Sequence, residues 1–238
     1  GGYVSTAEHL INLIAPSSAT GVMYKEVYNK LMQSGKADIL QKQPLTDANG
    51  NIRYGTDNKM LTYDNVDYSI EGNTATFKKA GSLNGIKNIV FIVSGNTASA
   101  SELTINALKP FVNVKLVGQT TYGKPVGFFP VTIENRYDVY FSMFETLNAK
   151  DEGRYYAGMQ PDISDATDDA KRDFDDASEN YIARALDLLA PGTATSTRAT
   201  MSVKGKNGAT LNLSPTMTGK LRKTNEFVGM IETRHKVR

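Results

Sequence analysis

One segment limits the possible folds more than any other. "KNIVFIVS", Lys87 to Ser94, is a short unbroken apolar run rich in β-branched residues, as in a strand covered on both faces. A helix is predicted to follow from about Ser99 to Lys109, and then a second apolar run, "NVKLVG", begins at Asn113. Strand, helix and strand in that order call for a right-handed crossover between parallel neighbours. The chain is therefore α/β at its centre. The corner "SGNTASASE", where the first strand gives way to the helix, is exposed at the carboxyl end of the sheet.

The flanking text supplies further elements. "STAEHLINLIAP" reads as a short helix with Ser5 as cap, Glu8 completing a capping box, and Pro16 after its end. Leu10, Ile11, Leu13 and Ile14 are its expected buried face. "GVMYKEVYN", Gly21 to Asn29, fits a strand or a second helix, and periodicity leaves both open. Residues 33–85 are polar and turn-rich, with hairpin signals at "DANGN" and "EGNT", and read as a variable insertion with short strands. "GFFPVTIENRYDVYFSMFE" gives two strands joined by a tight turn at Glu134 to Arg136. A last helix is expected near Ala177 to Leu189, before Pro191 and Gly192.

Composition narrows the function classes. The 238 residues are 40% hydrophobic, enough for a substantial core, and the net charge of +2 gives no overall field for nucleic acid or acidic membranes. The charge is uneven: Thr193 to Arg238 holds nine basic residues against two acidic ones. This tail reads as a separate basic, surface-bound extension, suited to the acidic run from Asp162 to Glu179. It has few aromatics on which bases could stack, so nucleic-acid binding is not expected. Cysteine is absent, which removes disulfides, thiolate metal sites and cysteine nucleophiles together. No run of about 18 apolar residues suggests a membrane span. "DISDATDDAKRDFDD" lacks the ordered calcium-loop pattern, so no metal is expected, and no cofactor-binding motif occurs. The opening "GGYVST" is neither a signal peptide nor a natural start, and an upstream part of the protein is expected.

A serine where a buried strand turns into a helix gains exposure and the backbone N–H groups of the first helical turn. Those features permit a nucleophile, and they equally suit a helix cap from Asn96, Thr97 or Ser99. A nucleophilic hydroxyl needs a base. The two histidines, His9 and His235, lie in an amphipathic helix and near the C-terminus, where surface or half-buried roles are the ordinary ones. Lysine also serves, if it loses its charge. At a pKa of about 10.4 only about one lysine in 2,500 is neutral at pH 7, so a working base needs a downward shift of about three units. Lys124, in "TTYGKPVGFFP", has Pro125, Val126, Phe128 and Phe129 directly after it, and burial among them favours the neutral amine.

"NTASASE" followed by "LVGQTTYGK" resembles the active-site signature of the C-terminal processing peptidases, the tail-specific proteases. In that family the serine of S-A-S-E and the lysine of T-[FY]-G-K stand 25 residues apart, as Ser99 and Lys124 do here. "MQPDI", Met159 to Ile163, is similar to the downstream G-[IV]-x-P-D segment, and "GGYVSTAEHL" to the end of the D-x-R-x-N-x-G-G element. The likeness runs from Gly1 to about Leu189 and is faintest over residues 33–85. It implies that Ser99 is the nucleophile and Lys124 the general base, with the backbone N–H groups of Ala100 and of Gly1 or Gly2 as oxyanion-hole donors. Ser101, the rival nucleophile, breaks the 25-residue spacing and is expected to face helix packing or cap the next turn. Two departures stand out: Phe128 occupies the place of the family's lysine-orienting glutamine, and Pro110 that of an acidic residue.

The fold implied is a Clp protease/crotonase-like α/β core with a mixed, largely parallel sheet and crossover helices, plus a C-terminal extension. Residues 1–192 form the catalytic core and 193–238 the extension. The activity implied is a serine endopeptidase acting on unfolded or C-terminally exposed polypeptides, without cofactor, in the bacterial periplasm or cell envelope. The family's PDZ module is not recognisable in these residues and is expected upstream or not at all. The competing reading is a non-catalytic peptide-binding module on the same scaffold.

Overall fold

The structure, a computed structural model, describes residues 1–47, 49–134, 136–169, 171–173, 175–191 and 229–238. Along the chain run β1 (Gly2–Tyr3), α1 (Val4–Ile14), β2 (Val22–Tyr28), the one-turn α2 (Lys30–Gln33), β3 (Thr74–Thr76), β4 (Asn88–Val93) and α3 (Ala100–Leu108). There follow β5 (Asn113–Gly118), β6 (Val126–Phe128), β7 (Pro130–Ile133), β8 (Tyr137–Tyr140), β9 (Phe144–Asn148), α4 (Asn180–Leu189) and β10 (Met230–Ile231).

The crossover unit forms where the sequence puts it. β4 and β5 pair in parallel, from Asn88 opposite Asn113 to Val93 opposite Gly118, with α3 between them in the chain. Ile105 of α3 packs with Val93, Leu116 and Met159, while Leu103, Ala107 and Leu108 join the main core with Val4, Ala7 and Ile11 of α1. The "MQPDI" segment adds along the edge of β5. Asp162 binds the Lys115 amine at 2.7 Å and accepts from the Leu116 N–H at 2.8 Å, and the Gly118 N–H donates to the Ile163 carbonyl at 2.8 Å.

The larger sheet is mixed, in the order β1-β10-β6-β9-β2-β3. Its first three strands are parallel, whereas β6 with β9, β9 with β2, and β2 with β3 are antiparallel. The expected predominance of parallel pairs therefore does not hold among the described residues. The antiparallel half comes from β9, which returns along β6 after the β7–β8 hairpin and so also meets β2 antiparallel. β2 resolves the ambiguity of "GVMYKEVYN": Met23, Tyr24, Glu26 and Tyr28 are buried, and the following Gly-free run of aromatic and β-branched residues suits a pleat.

Two further expectations are corrected. α1 starts at Val4 directly after β1, so Ser5 is inside the helix and no side chain caps it. Glu8 instead accepts from the Tyr24 hydroxyl at 3.1 Å and from Arg234 at 2.8 Å. The buried face is Val4, Ala7, Ile11 and Asn12, and Leu10 is 44% exposed. Ile11 belongs to both the expected and the observed face and Ile14 packs half-buried against the core, so the departures are the exposed Leu10 and the added Val4, Ala7 and Asn12. The second correction concerns the tail. Residues 193–228 lie outside the described ones, but residues 229–238 are no surface-bound extension: β10 sits between β1 and β6 with Met230 fully buried, and Val237 bridges Val66.

Residues 33–85 hold short bridges, Pro44 with Thr62, Thr46 with Ile52 and Tyr54 with Met60, anchored by buried Leu40, Leu45, Val66 and Tyr68. Among the described residues no helix is long and apolar enough to cross a membrane.

Candidate active site

The corner between β4 and α3 is strained at one residue. Ser99 has φ 58° and ψ −111°, a region non-glycine residues rarely enter, and it is fully buried. Such a conformation costs on the order of 1–3 kcal/mol and persists only where its surroundings over-determine it. Here they do. The Ser99 N–H donates to Glu102 Oε2 at 2.8 Å, and the Ser99 carbonyl accepts from the Leu103 N–H at 2.8 Å. Upstream, the Ser94 N–H donates to Thr97 Oγ1 at 3.0 Å and the Thr97 carbonyl accepts from the Tyr122 N–H at 2.8 Å, fixing the approach. Ser99 is the N-cap, so helix capping and the strained corner fall on one residue. Ser101 is exposed on the first turn of α3 and does not face helix packing as expected.

Glu102 organises the site. It is fully buried and its carboxylate accepts four hydrogen bonds. Oε1 takes the Thr121 hydroxyl at 2.6 Å and the Gly123 N–H at 2.8 Å. Oε2 takes the N–H groups of Ser99, at 2.8 Å, and of Lys124, at 2.9 Å. One oxygen thus holds together the backbones of two residues 25 positions apart. Thr121 extends the network, since its hydroxyl oxygen accepts from the Met159 N–H at 2.7 Å. The glycine before the lysine is required sterically: at φ +85°, a Cβ on Gly123 would lie 2.5 Å from the Tyr156 carbonyl oxygen. Glu102 belongs to the quoted "NTASASE" motif, yet sequence reasoning gave it no role. Its signal was a carboxylate three residues after the serine, in the first turn of a helix whose residues are buried except Ser101.

The side chains lie as follows. Ser99 Oγ makes a long hydrogen bond, 3.4 Å, to the Val126 carbonyl, which puts the hydroxyl at the start of β6, two residues past Lys124. The Lys124 amine stands 4.8 Å from the centroid of the Phe128 ring. Desolvation lowers its pKa from the ordinary 10.5. Of the expected oxyanion donors, the Ala100 N–H opens α3 and belongs to the orphan donors of a helix start. The Gly2 N–H is spent on the Gly229 carbonyl at 2.7 Å, as part of β1 pairing beside β10, and this corrects its expected role. Gly1 lies beside the Gly229 backbone. An apolar cavity of about 430 Å³ between α1, α3 and β4 reaches Ala100 and Ser101, but neither Ser99 nor Lys124 lines it. His235 sits edge-on to the stacked rings of Tyr63 and Phe129, and burial lowers its pKa to about 4. That packing role keeps it from acting as the base. Among the described residues, no group of three or more His, Asp or Glu could hold a metal.

A strained serine at a strand–helix corner and a partly desolvated lysine are thus tied together through one carboxylate. Residues 1–165 match the model of peptidase family S41, and the chain belongs to that family. It is 28% identical over 148 residues to the carboxy-terminal processing protease CtpA of Bacillus subtilis (strain 168), a match taking in 62% of this chain and 30% of that protein. The chain thus spans less than a third of that relative's length. Among solved structures, a protein assigned as an S41 protease from Bacteroides fragilis NCTC 9343 matches with a TM-score of 0.54 at 20% identity, over 79% of this chain and 42% of that one. The photosystem II D1 C-terminal processing protease matches with a TM-score of 0.42 at 16% identity, over 69% and 31%.

Proposed function

We propose that the chain carries the catalytic centre of a serine endopeptidase that cuts unfolded or C-terminally exposed polypeptides through a Ser99–Lys124 dyad. The observation that carries this reading is the shared Glu102 oxygen, which brings the backbones of Ser99 and Lys124 within two hydrogen-bond lengths of each other. Ser99 Oγ attacks the scissile carbonyl carbon while Lys124 Nζ takes its proton. The Ala100 N–H, with that of Gly1, binds the oxyanion as it forms. When the C–N bond breaks, the lysine passes the proton to the leaving amine. Water then loses a proton to Lys124 as its oxygen attacks the acyl carbon, and when the bond from that carbon to Ser99 Oγ breaks, Lys124 returns the proton to Oγ and the carboxylic acid product leaves.

The core, which includes the insertion at 33–85 and the C-terminal strand β10, is read as Clp protease/crotonase-like. Its substrate is a polypeptide, and its setting the periplasm or cell envelope. Hydrolysis of unfolded casein by the 238-residue chain, with mass-spectrometric capture of an acyl or fluorophosphonyl group on Ser99, tests the reading. Labelling confined to Ser101 refutes it. Because the base acts as the neutral amine and burial holds Lys124 below 10.5, kcat/KM should rise with pH and reach half its plateau below that value. A midpoint at or above 10.5 removes Lys124 from the role of base.

A further inference from the structure

With Phe128 where the resembling peptidases carry a lysine-orienting glutamine, something else must keep the Lys124 amine in place. Phe128 is 3% exposed, and its ring faces the amine at 4.8 Å from the centroid. The ring is itself confined by the far end of the chain. A Cβ built on Gly229 would fall 2.0 Å from Phe128 Cζ and 2.9 Å from Cε2, so the Gly229 backbone lies directly against the ring. After it, β10 pairs with β6, Met230 opposite Gly127 and Ile231 opposite Phe128, and the Glu232 N–H donates to the Phe128 carbonyl at 3.1 Å. On its other side β10 pairs with β1, and the Gly229 carbonyl accepts from the Gly2 N–H. Arg234, just beyond, is anchored to Glu8 of α1 at 2.8 Å.

We propose that Gly229 is a positioning residue for the proposed base, holding the Phe128 ring against which the Lys124 amine rests, so that the C-terminal strand forms part of the active-site wall. Residues about 100 positions downstream of the dyad thus act on it through one aromatic ring. Glycine is needed because any side chain would occupy the volume of the ring. The glutamine of related sites would hold a lysine by a hydrogen bond, whereas here an apolar face, backed by a glycine, packs against the amine and shields it from water, which favours the neutral form. The inference rests on Lys124 being the base, and its test is arranged to separate the two.

The test reads the Lys124 amine directly, as the pH dependence of its acylation by an amine-selective reagent, peptide by peptide, in the 238-residue chain. In Gly229→Ala the midpoint for Lys124 is expected to move by at least half a pH unit while other lysines stay put, and kcat on casein to fall about tenfold or more with KM within twofold. Phe128→Leu should move the same midpoint, and the double variant should match Phe128→Leu, because the added methyl then has no ring to displace. The double variant, with space for the methyl, serves also if Gly229→Ala fails to fold. A Lys124 midpoint unchanged in Gly229→Ala, or effects of the two substitutions that simply add, overturns the positioning role. Shifted midpoints in a chain whose Ser99 never acylates would leave the positioning role standing and defeat the catalytic reading instead.

Discussion

Replacing Ser99 by alanine is expected to lower kcat/KM on an unfolded polypeptide by at least about 10⁴-fold, because no other group supplies the attacking oxygen. The fold should survive. Ser99 Oγ makes a long bond, 3.4 Å, to the Val126 carbonyl and completes a capping box with Glu102, so its loss should cost about 1–2 kcal/mol. The strained backbone that alanine must adopt is held by the same N–H and carbonyl bonds. Lys124→Ala should fall to a similar level, and the double variant no lower, because nucleophile and base act as one unit. Lys124→Arg keeps the charge and the contact with Phe128 but offers a guanidinium that does not deprotonate, so it too should be inactive. Steady-state cleavage of casein, beside urea unfolding of each variant, decides the matter. Residual cleavage by Ser99→Ala at the parent's rate, from a stably folded protein, excludes Ser99.

The crossover unit was legible because its signals are local: a continuous apolar run, a helical segment of the right length, and a second run. Each of β4, α3 and β5 is decided by residues within its own span. What escaped depends on partners far away in the chain. The direction of β2 and its place beside β9 follow from how the chain returns after the β7–β8 hairpin, which no periodicity encodes. α1 was found, but it starts at Val4 straight after β1 and without the Ser5–Glu8 cap, whose glutamate pairs with Tyr24 and Arg234 instead. The tail illustrates the same point. Its basic composition suggested a surface segment, yet four residues, Gly229 to Glu232, carry the pairing that inserts it between β1 and β6. In the site, the spacing of Ser99 and Lys124 was visible because it is a matter of counting. The role of Glu102 was not, because the capping-box spacing from Ser99 accounts for one of its four hydrogen bonds, and the other three come from Thr121, Gly123 and Lys124, far along the chain.

That hidden role makes Glu102→Gln the most informative isosteric change. The amide keeps the shape but replaces one acceptor oxygen by an N–H₂ donor, and the carboxylate has no acceptor to spare. With the amide nitrogen at the Oε2 position, the N–H groups of Ser99 and Lys124 would face a donor. In the other orientation, the Gly123 N–H and the Thr121 hydroxyl would. Each buried donor left unpaired costs about 1–3 kcal/mol, so the expected loss is roughly 2–5 kcal/mol of stability, measured by urea unfolding. Activity should fall further than stability explains. The two-residue clamp that fixes the Ser99 φ of 58° beside the Lys124 backbone would be broken, and misplacement of reacting groups by about 1 Å can cost on the order of 100-fold in rate. The measurement that separates the two effects is kcat on casein under conditions where the variant is fully folded, as judged by its own unfolding curve. A folded Glu102→Gln with the parent's kcat means the clamp serves stability alone, whereas a large loss of kcat with KM little changed assigns Glu102 the alignment of nucleophile and base. Glu102→Asp should fall between the parent and Glu102→Gln. It keeps both acceptor oxygens but withdraws them by one methylene, lengthening the bonds to Ser99 and Lys124 without orphaning either.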